Sequence, residues 1–160
     1  MHPFRVGFGY DVHGFVSGRE LWLGGIRLEH VQGLLGHSDA DVLIHAICDA
    51  LLGAAGLRDI GFHFPDKDEA YKNIDSKILL RKVMDLIRKE DYELGNVDAT
   101  ICAEQPKIKP YIPEMIRCLA DVMQVDSRSL SIKATTSEKM GFVGREEGIS
   151  TYVVVLIYKK

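Results

Sequence analysis

The chain has 160 residues, 46% of them apolar and 27% charged, ordinary usage for a globular domain rather than a disordered segment. At this length a single domain spanning residues 1–160 is expected, burying roughly 68–70% of its unfolded surface and needing no disulfide staples. Twenty Lys and Arg against 23 Asp and Glu give a net charge of -3, so there is no basic field for nonspecific nucleic-acid binding.

In chain order, Phe4 to Asp11 alternates with glycines and reads as a strand ending at a functional turn. Leu21–Leu23 and Ile26–Leu28 flank Gly24-Gly25, a hairpin signal. Ser38 or Asp39 can cap a helix reaching about Ala55, with Val42, Ala46, Ala50 and Gly53 at helical spacing and Gly56 suited to its end. Asp75 can cap a second helix whose apolar stripe is Ile78, Leu79, Val83, Leu86 and Ile87. Leu94 to Ala103 reads as a strand. Pro106, Pro110 and Pro113 mark a loop and the start of a third helix ending near Met123.

Leu130–Thr135 and Thr151–Tyr158 are the last strands. The continuous run Val153 to Ile157 predicts a strand covered on both faces, and in so small a domain the second cover can be another subunit. Strands and helices mix without strict alternation, so the fold class is α+β. The apolar run Tyr152–Tyr158 is far too short to span a bilayer as a helix, and the N-terminal residues show no secretory signal. A soluble cytoplasmic protein is expected, with Cys48, Cys102 and Cys118 as buried free thiols, since they form no CxxC pair and their number is odd.

Three residue groups carry chemistry. Asp11 and His13 lie two apart, so on an extended chain both point to one side, and His45 sits mid-helix. Two imidazoles and a carboxylate suit zinc with a fourth position open. By spacing alone, however, Asp-x-His arises often by chance, and a single helical His is more often a satisfied core residue. Asp41, His45 and Asp49 share a helix face, so Asp49 can either orient a metal-bound imidazole or remain a surface carboxylate.

Gly36-His37-Ser38-Asp39 precedes a helix start, where backbone N–H groups favour anions; the same residues also make ordinary caps. Asp59-Ile60-Gly61 and Phe64-Pro65-Asp66 offer carboxylates for sugar hydroxyls, in a segment that turn propensity alone would explain. Ala134 to Lys139 combines hydroxyls, an acid and a base suited to a phosphate bridged by a hard cation. Gly141 to Arg145 follows, with Arg145 as a phosphate fork; the alternative is a polar loop. No GxxxxGK[ST] or GxGxxG element occurs.

Four segments together resemble the 2-C-methyl-D-erythritol 2,4-cyclodiphosphate synthase family: RVGFGYDVH from Arg5 to His13, the stretch from Gly36 to Asp66, AEQPKIKP from Ala103 to Pro110, and KATTSEKMGFVGREEGI from Lys133 to Ile149. The resemblance implies that Asp11, His13 and His45 are zinc ligands, with Asp11 and His13 also touching substrate. It implies that His37 and Thr136 stabilise the transition state. Ser38, Asp59, Ile60, Gly61 and Asp66 would surround the methylerythritol phosphate. Ala103, Glu104, Gln105, Pro106 and Lys107, with Ala134, Thr135, Thr136 and Ser137, would form the cytidine-diphosphate pocket. Glu138 would contact a second divalent cation, magnesium or manganese, and Phe142 and Arg145 would be further substrate-loop positions.

The implied fold is a mixed four-stranded sheet with helices on one face, three subunits packing their sheets around a trimer axis. The implied reaction releases CMP and a cyclic diphosphate. Two departures stand out: Arg58 and Ala40 occupy positions where the family often has Gly. The rival expectations are a zinc phosphoesterase and a trimeric metal- or ligand-binding protein without turnover.

Overall fold

The computed structural model describes residues 2–160. Its longest strands are β1 (Phe4–Val16), β5 (Tyr92–Cys102) and β7 (Gly148–Lys159). With β6 (Leu130–Thr135) and the two-residue β4 (Gly33–Leu34) they form a sheet in the order β4-β1-β7-β5-β6. β1 and β7 pair antiparallel, as do β7 and β5, whereas β5 and β6 run parallel. The sheet is therefore mixed, but five-stranded rather than four-stranded. The added strand arises because β1 does not stop at Asp11. β7 begins at Gly148, opposite Gly14, so β1 keeps a ladder partner past His13. Phe15 and Val16 then pair with Leu34 and Gly33.

One face of this sheet carries the helices. Residues 149, 153, 155 and 157 of β7 point into the core and are buried. β5 keeps the same alternation only by a register shift between Leu94 and Asn96, an irregularity at Gly95 that lets Tyr92, Leu94, Val97, Ala99 and Ile101 all face inward. The opposite face is apolar and open: Phe4, Val6, Phe8, Tyr10, Tyr152, Val154 and Tyr158 are all exposed in the single chain.

Helix α1 (Val42–Ala55) lies directly on β1 and β7. Its N-cap is Asp41, not Ser38 or Asp39. The Asp41 carboxylate accepts from the N–H of Ile44 and also from those of Gly24 and Gly25. These glycines form the turn between β2 (Leu21–Leu23) and β3 (Ile26–Leu28), both with positive φ. One buried carboxylate thus ties the hairpin to the helix start, a tertiary choice that overrides local cap preference. Gly56 ends α1 in the left-handed conformation, as its sequence position predicts.

The single-turn helix α2 (Ile60–His63) leads onward to α3 (Ser76–Lys89), capped by Asp75 as expected. The buried stripe of α3 is Leu79, Leu80, Val83, Met84 and Ile87, with Ile78 turned outward. α4 (Ile112–Met123) packs on α3 and β6, and α5 is a single turn at Gly141–Gly144. All three cysteines are free, but only Cys48 is fully buried, and burial raises its thiol pKa well above the usual value.

Candidate metal centre and phosphate pocket

Gly7, Gly9, Asp11 and His13 share the helix-facing side of β1. A Cβ at Gly7 or Gly9 would stand 1.9 Å from the carbonyl oxygen of Ala50 or Ala46. With no side chains there, α1 rests on bare strand backbone, and His45 is carried to Asp11. The distances then converge: His13 Nε2 to Asp11 Oδ2 is 3.0 Å, His45 Nδ1 to the same oxygen 3.2 Å, and the two ring nitrogens 3.4 Å apart. Ligands about 2.0–2.1 Å from a tetrahedral ion stand roughly 3.4 Å from one another, so the three atoms fit three corners of one coordination sphere. Among the described residues this is the one His/Cys/Asp/Glu group with metal-ligating geometry.

The other nitrogen of each ring is bonded away from the centre. His13 Nδ1 lies 2.7 Å from the Leu35 carbonyl oxygen and donates to it, which turns Nε2 inward. His45 Nε2 meets the hydroxyls of Ser38 at 3.1 Å and Ser76 at 3.0 Å. Burial pushes the Asp11 carboxyl up, but hydrogen bonds from His13 and His45 outweigh it and hold the pKa at about 2. Burial likewise lowers His13, and the Asp11 carboxylate more than reverses it, so His13 is raised.

The triad opens into a cavity of about 250 Å³, which His37, Ser38, Ile60, Gly61 and Asp66 also line. His37 Nε2 is 3.1 Å from the Asp68 carbonyl oxygen. Asp59 is placed differently: its carboxylate caps α2 through the N–H of Phe62 and does not line the cavity. Asp49 does line it, yet it accepts from the Ile60 N–H at 2.7 Å rather than orienting His45. Arg58 and Ala40, the two departures from glycine, both have positive φ, 72° and 59°; those are backbone positions that glycine tolerates best.

A second hollow of about 120 Å³ is lined by Ala103, Lys107, Ala134, Thr135 and Thr136, together with Ile108 and Lys109. Gln105-Pro106 is a cis peptide. Glu104 works on the adjoining loop, accepting from the N–H groups of Ser137 at 2.8 Å and Lys139 at 3.3 Å. Glu138 is exposed, its backbone in the left-handed region. Phe142 is exposed, and Arg145 is paired with Glu147 at 3.0 Å. The structure does not bring this hollow to the triad. Asp11 is level with Thr151, Thr151 with Ile101, and Ile101 with Ala134, three strand spacings or roughly 14 Å.

Sequence reasoning missed Ser76 and Arg19. Ser76 is fully buried beside His45, and Arg19 donates to the carbonyls of Gly36 and Ser38, each at 2.6 Å. The Asp75-Ser76 pair reads locally as nothing more than a helix cap.

Fold and site together define an α+β domain with a preformed three-donor metal centre in the wall of a cavity of mixed polar and apolar lining. The sequence model of the YgbB family matches residues 4–158. A 2-C-methyl-D-erythritol 2,4-cyclodiphosphate synthase of Porphyromonas gingivalis is 68% identical over 155 residues, covering 97% of this chain and 96% of its own. Among solved structures, the bifunctional IspDF from Campylobacter jejuni superposes with a TM-score of 0.95 at 41% identity, over 98% of this chain and 42% of the longer one. IspF of Plasmodium falciparum, a CDP complex, gives a TM-score of 0.88 at 34% identity over 100% and 99%. The chain belongs to the 2-C-methyl-D-erythritol 2,4-cyclodiphosphate synthase (YgbB) family.

Proposed function

We propose that this chain is the cyclodiphosphate synthase of the non-mevalonate isoprenoid pathway, a CMP-releasing phosphorus–oxygen lyase. It converts 4-diphosphocytidyl-2-C-methyl-D-erythritol 2-phosphate to 2-C-methyl-D-erythritol 2,4-cyclodiphosphate. The observation that carries the reading is the convergence of Asp11, His13 and His45 on one point in the wall of the cavity, in a chain whose relatives bear that name.

An oxygen of the substrate's 2-phosphate attacks the β-phosphorus. The bond from that phosphorus to the oxygen bridging the α- and β-phosphates breaks, and CMP leaves with the electron pair. The nucleophile belongs to the substrate, so the protein supplies positioning and charge stabilisation rather than a covalent partner. Zinc on Asp11, His13 and His45, with magnesium or manganese at Glu138, would withdraw charge from the attacked phosphate and ease departure of CMP. His37 and Thr136 donate hydrogen bonds to oxygens that gain charge in the transition state; one such donor is typically worth about 10²–10³ in rate. Ser38, Ile60, Gly61 and Asp66 hold the methylerythritol end. Asp59 acts there through α2. Ala103 to Lys107 and Ala134 to Ser137 receive the cytidine diphosphate, while Phe142 and Arg145 border the substrate loop.

We further read the working unit as a cytoplasmic homotrimer. The open apolar sheet face supports this, because Phe4, Val6, Phe8 and Val154 are 44–63% exposed in one chain and form a patch of the kind that marks an interface. A neighbouring subunit's second hollow would then complete each metal pocket. Among the described residues no helix is long and apolar enough to cross a membrane.

The test is incubation of purified protein, zinc and magnesium with the diphosphocytidyl substrate, followed by phosphorus NMR. Equimolar CMP and cyclic diphosphate are expected. Inorganic phosphate in place of CMP would make the protein a phosphoesterase, and no turnover would make it a binding protein.

A further inference from the structure

The imidazole of His45 has a partner that the reaction itself does not require. Ser76, the first residue of α3, is fully buried and places its hydroxyl 3.0 Å from His45 Nε2. The same hydroxyl lies 2.5 Å from Asp39 Oδ1. Asp39 is tied further by the N–H of Ser76 at 2.9 Å and that of Asp41 at 3.0 Å.

The direction of these bonds follows from the inventory of protons. A carboxylate only accepts, and a serine hydroxyl has one hydrogen. With that hydrogen given to Asp39, the Ser76 oxygen can only accept from His45. His45 Nε2 therefore meets an acceptor at Ser76, while Nδ1 faces Asp11 Oδ2 and His13 Nε2; a ring that gives Nδ1 to a metal keeps its proton on Nε2, where Ser76 receives it. Ser38, the other hydroxyl near Nε2, already accepts from the Ala40 N–H at 3.1 Å. Arg19 pins the carbonyls on either side of His37, which fixes the loop that carries Asp39.

We infer that Asp39 and Ser76 form a positioning relay, carboxylate to hydroxyl to imidazole, that holds the His45 ring with Nδ1 toward Asp11 and His13 and strengthens it as a metal ligand. The inference rests on the metal reading given above. Neither residue lines the cavity beside the metal centre. Their effect passes through His45 alone, in the way carboxylates behind metal-bound histidines act, with a hydroxyl inserted between them. Loss of such a partner typically weakens metal binding about 10–100-fold.

Zinc affinity, measured by competition with a chromophoric chelator, tests this on Ser76→Ala, Asp39→Asn and Ser38→Ala. Asp39→Asn keeps the size and an acceptor oxygen, so it remains informative should Ser76→Ala fold poorly. The first two should bind zinc at least about tenfold more weakly, with the substrate KM at saturating zinc unchanged. Ser38→Ala should instead raise KM and leave zinc affinity within about threefold, well short of that loss. In parallel, nitrogen-15 shifts of zinc-loaded wild type should show His45 protonated at Nε2. Equal zinc affinity in wild type, Ser76→Ala and Asp39→Asn would overturn the relay, as would an Nδ1–H tautomer. Failure of wild type to bind zinc would refute the metal reading and the relay with it, whereas equal affinities across a zinc-binding set overturn the relay alone.

Discussion

Gly9 lies so close beneath Ala46 that a Cβ on the glycine would stand 1.9 Å from the Ala46 carbonyl oxygen. His45 precedes Ala46 and Asp11 follows Gly9 by two residues, so this contact sets the distance across the metal centre. Gly9→Ala must push α1 off β1. Overpacking of this kind costs about 1–3 kcal/mol, and the displaced helix takes His45 with it. We expect a lower urea midpoint and less than one zinc per chain. An unchanged midpoint with full zinc would show that helix and strand give way without cost.

Val154 lies on the open sheet face, opposite Phe8 on β1 and Asp98 on β5. In an isolated chain, Val154→Lys adds a cation beside an acidic cross-strand neighbour, which the monomer tolerates. In a trimer the same charge enters an apolar interface and is costly. Sedimentation should therefore give trimers for wild type and monomers for the variant, with far-UV circular dichroism retained. A fully active wild-type monomer would end the shared-site reading.

The legible parts of the fold were those set by neighbours in sequence. The Gly24-Gly25 turn, the Leu130–Thr135 strand and the Gly56 stop are local chemistry, and all three stand where expected. The cap of α1 was not legible, because Ser38, Asp39 and Asp41 are all competent caps, and the choice falls to Gly24 and Gly25, 17 and 16 residues before Asp41. β4 has two residues and carries no periodicity at all. In the site, Asp11 and His13 could be paired from spacing. Their union with His45 rests on ligand type and family resemblance rather than on spacing, since helix-on-strand packing through Gly7 and Gly9 leaves no periodic trace. Ser76 was invisible because its role depends on the approach of α3 to α1.

Arg58 holds a φ of 72° and sets its guanidinium 4.2 Å from the centre of the Phe62 ring. Non-glycine residues in this region cost roughly 1–2 kcal/mol, and an exposed cation–π contact returns about 0.5–1 kcal/mol. Arg58→Gly trades one for the other and also gains unfolded-state freedom. It should leave thermal stability nearly unchanged. Arg58→Val keeps the strain, adds a β-branch and loses the ring contact, so its melting temperature should fall below both. A valine variant as stable as the arginine protein would mean the loop relaxes out of the left-handed conformation.

Protons and zinc compete for the same atoms, so pH should act oppositely on the metal-free and loaded proteins. His13 is raised above the usual 6.5 because the Asp11 hydrogen bond outweighs burial. A raised imidazole contributes its full stabilisation below 6.5 and loses it as pH rises through the higher folded value. Asp11 is depressed from 3.8 to about 2, since its bonds to His13 and His45 outweigh burial; its contribution is present above 3.8 and lost as pH falls through about 2. Metal-free protein should therefore be most stable between those windows and weaken as pH rises above 6.5. Zinc binds only deprotonated ligands and displaces the His13 proton, so its affinity rises over the same interval. The increment it adds to stability scales with the logarithm of zinc concentration over Kd. Thermal unfolding with and without zinc, at about pH 5.5 and about pH 8, should show the larger zinc increment at the higher pH. Equal increments at both would mean that the ion is held without displacing the His13 proton, and that His13 is not a ligand.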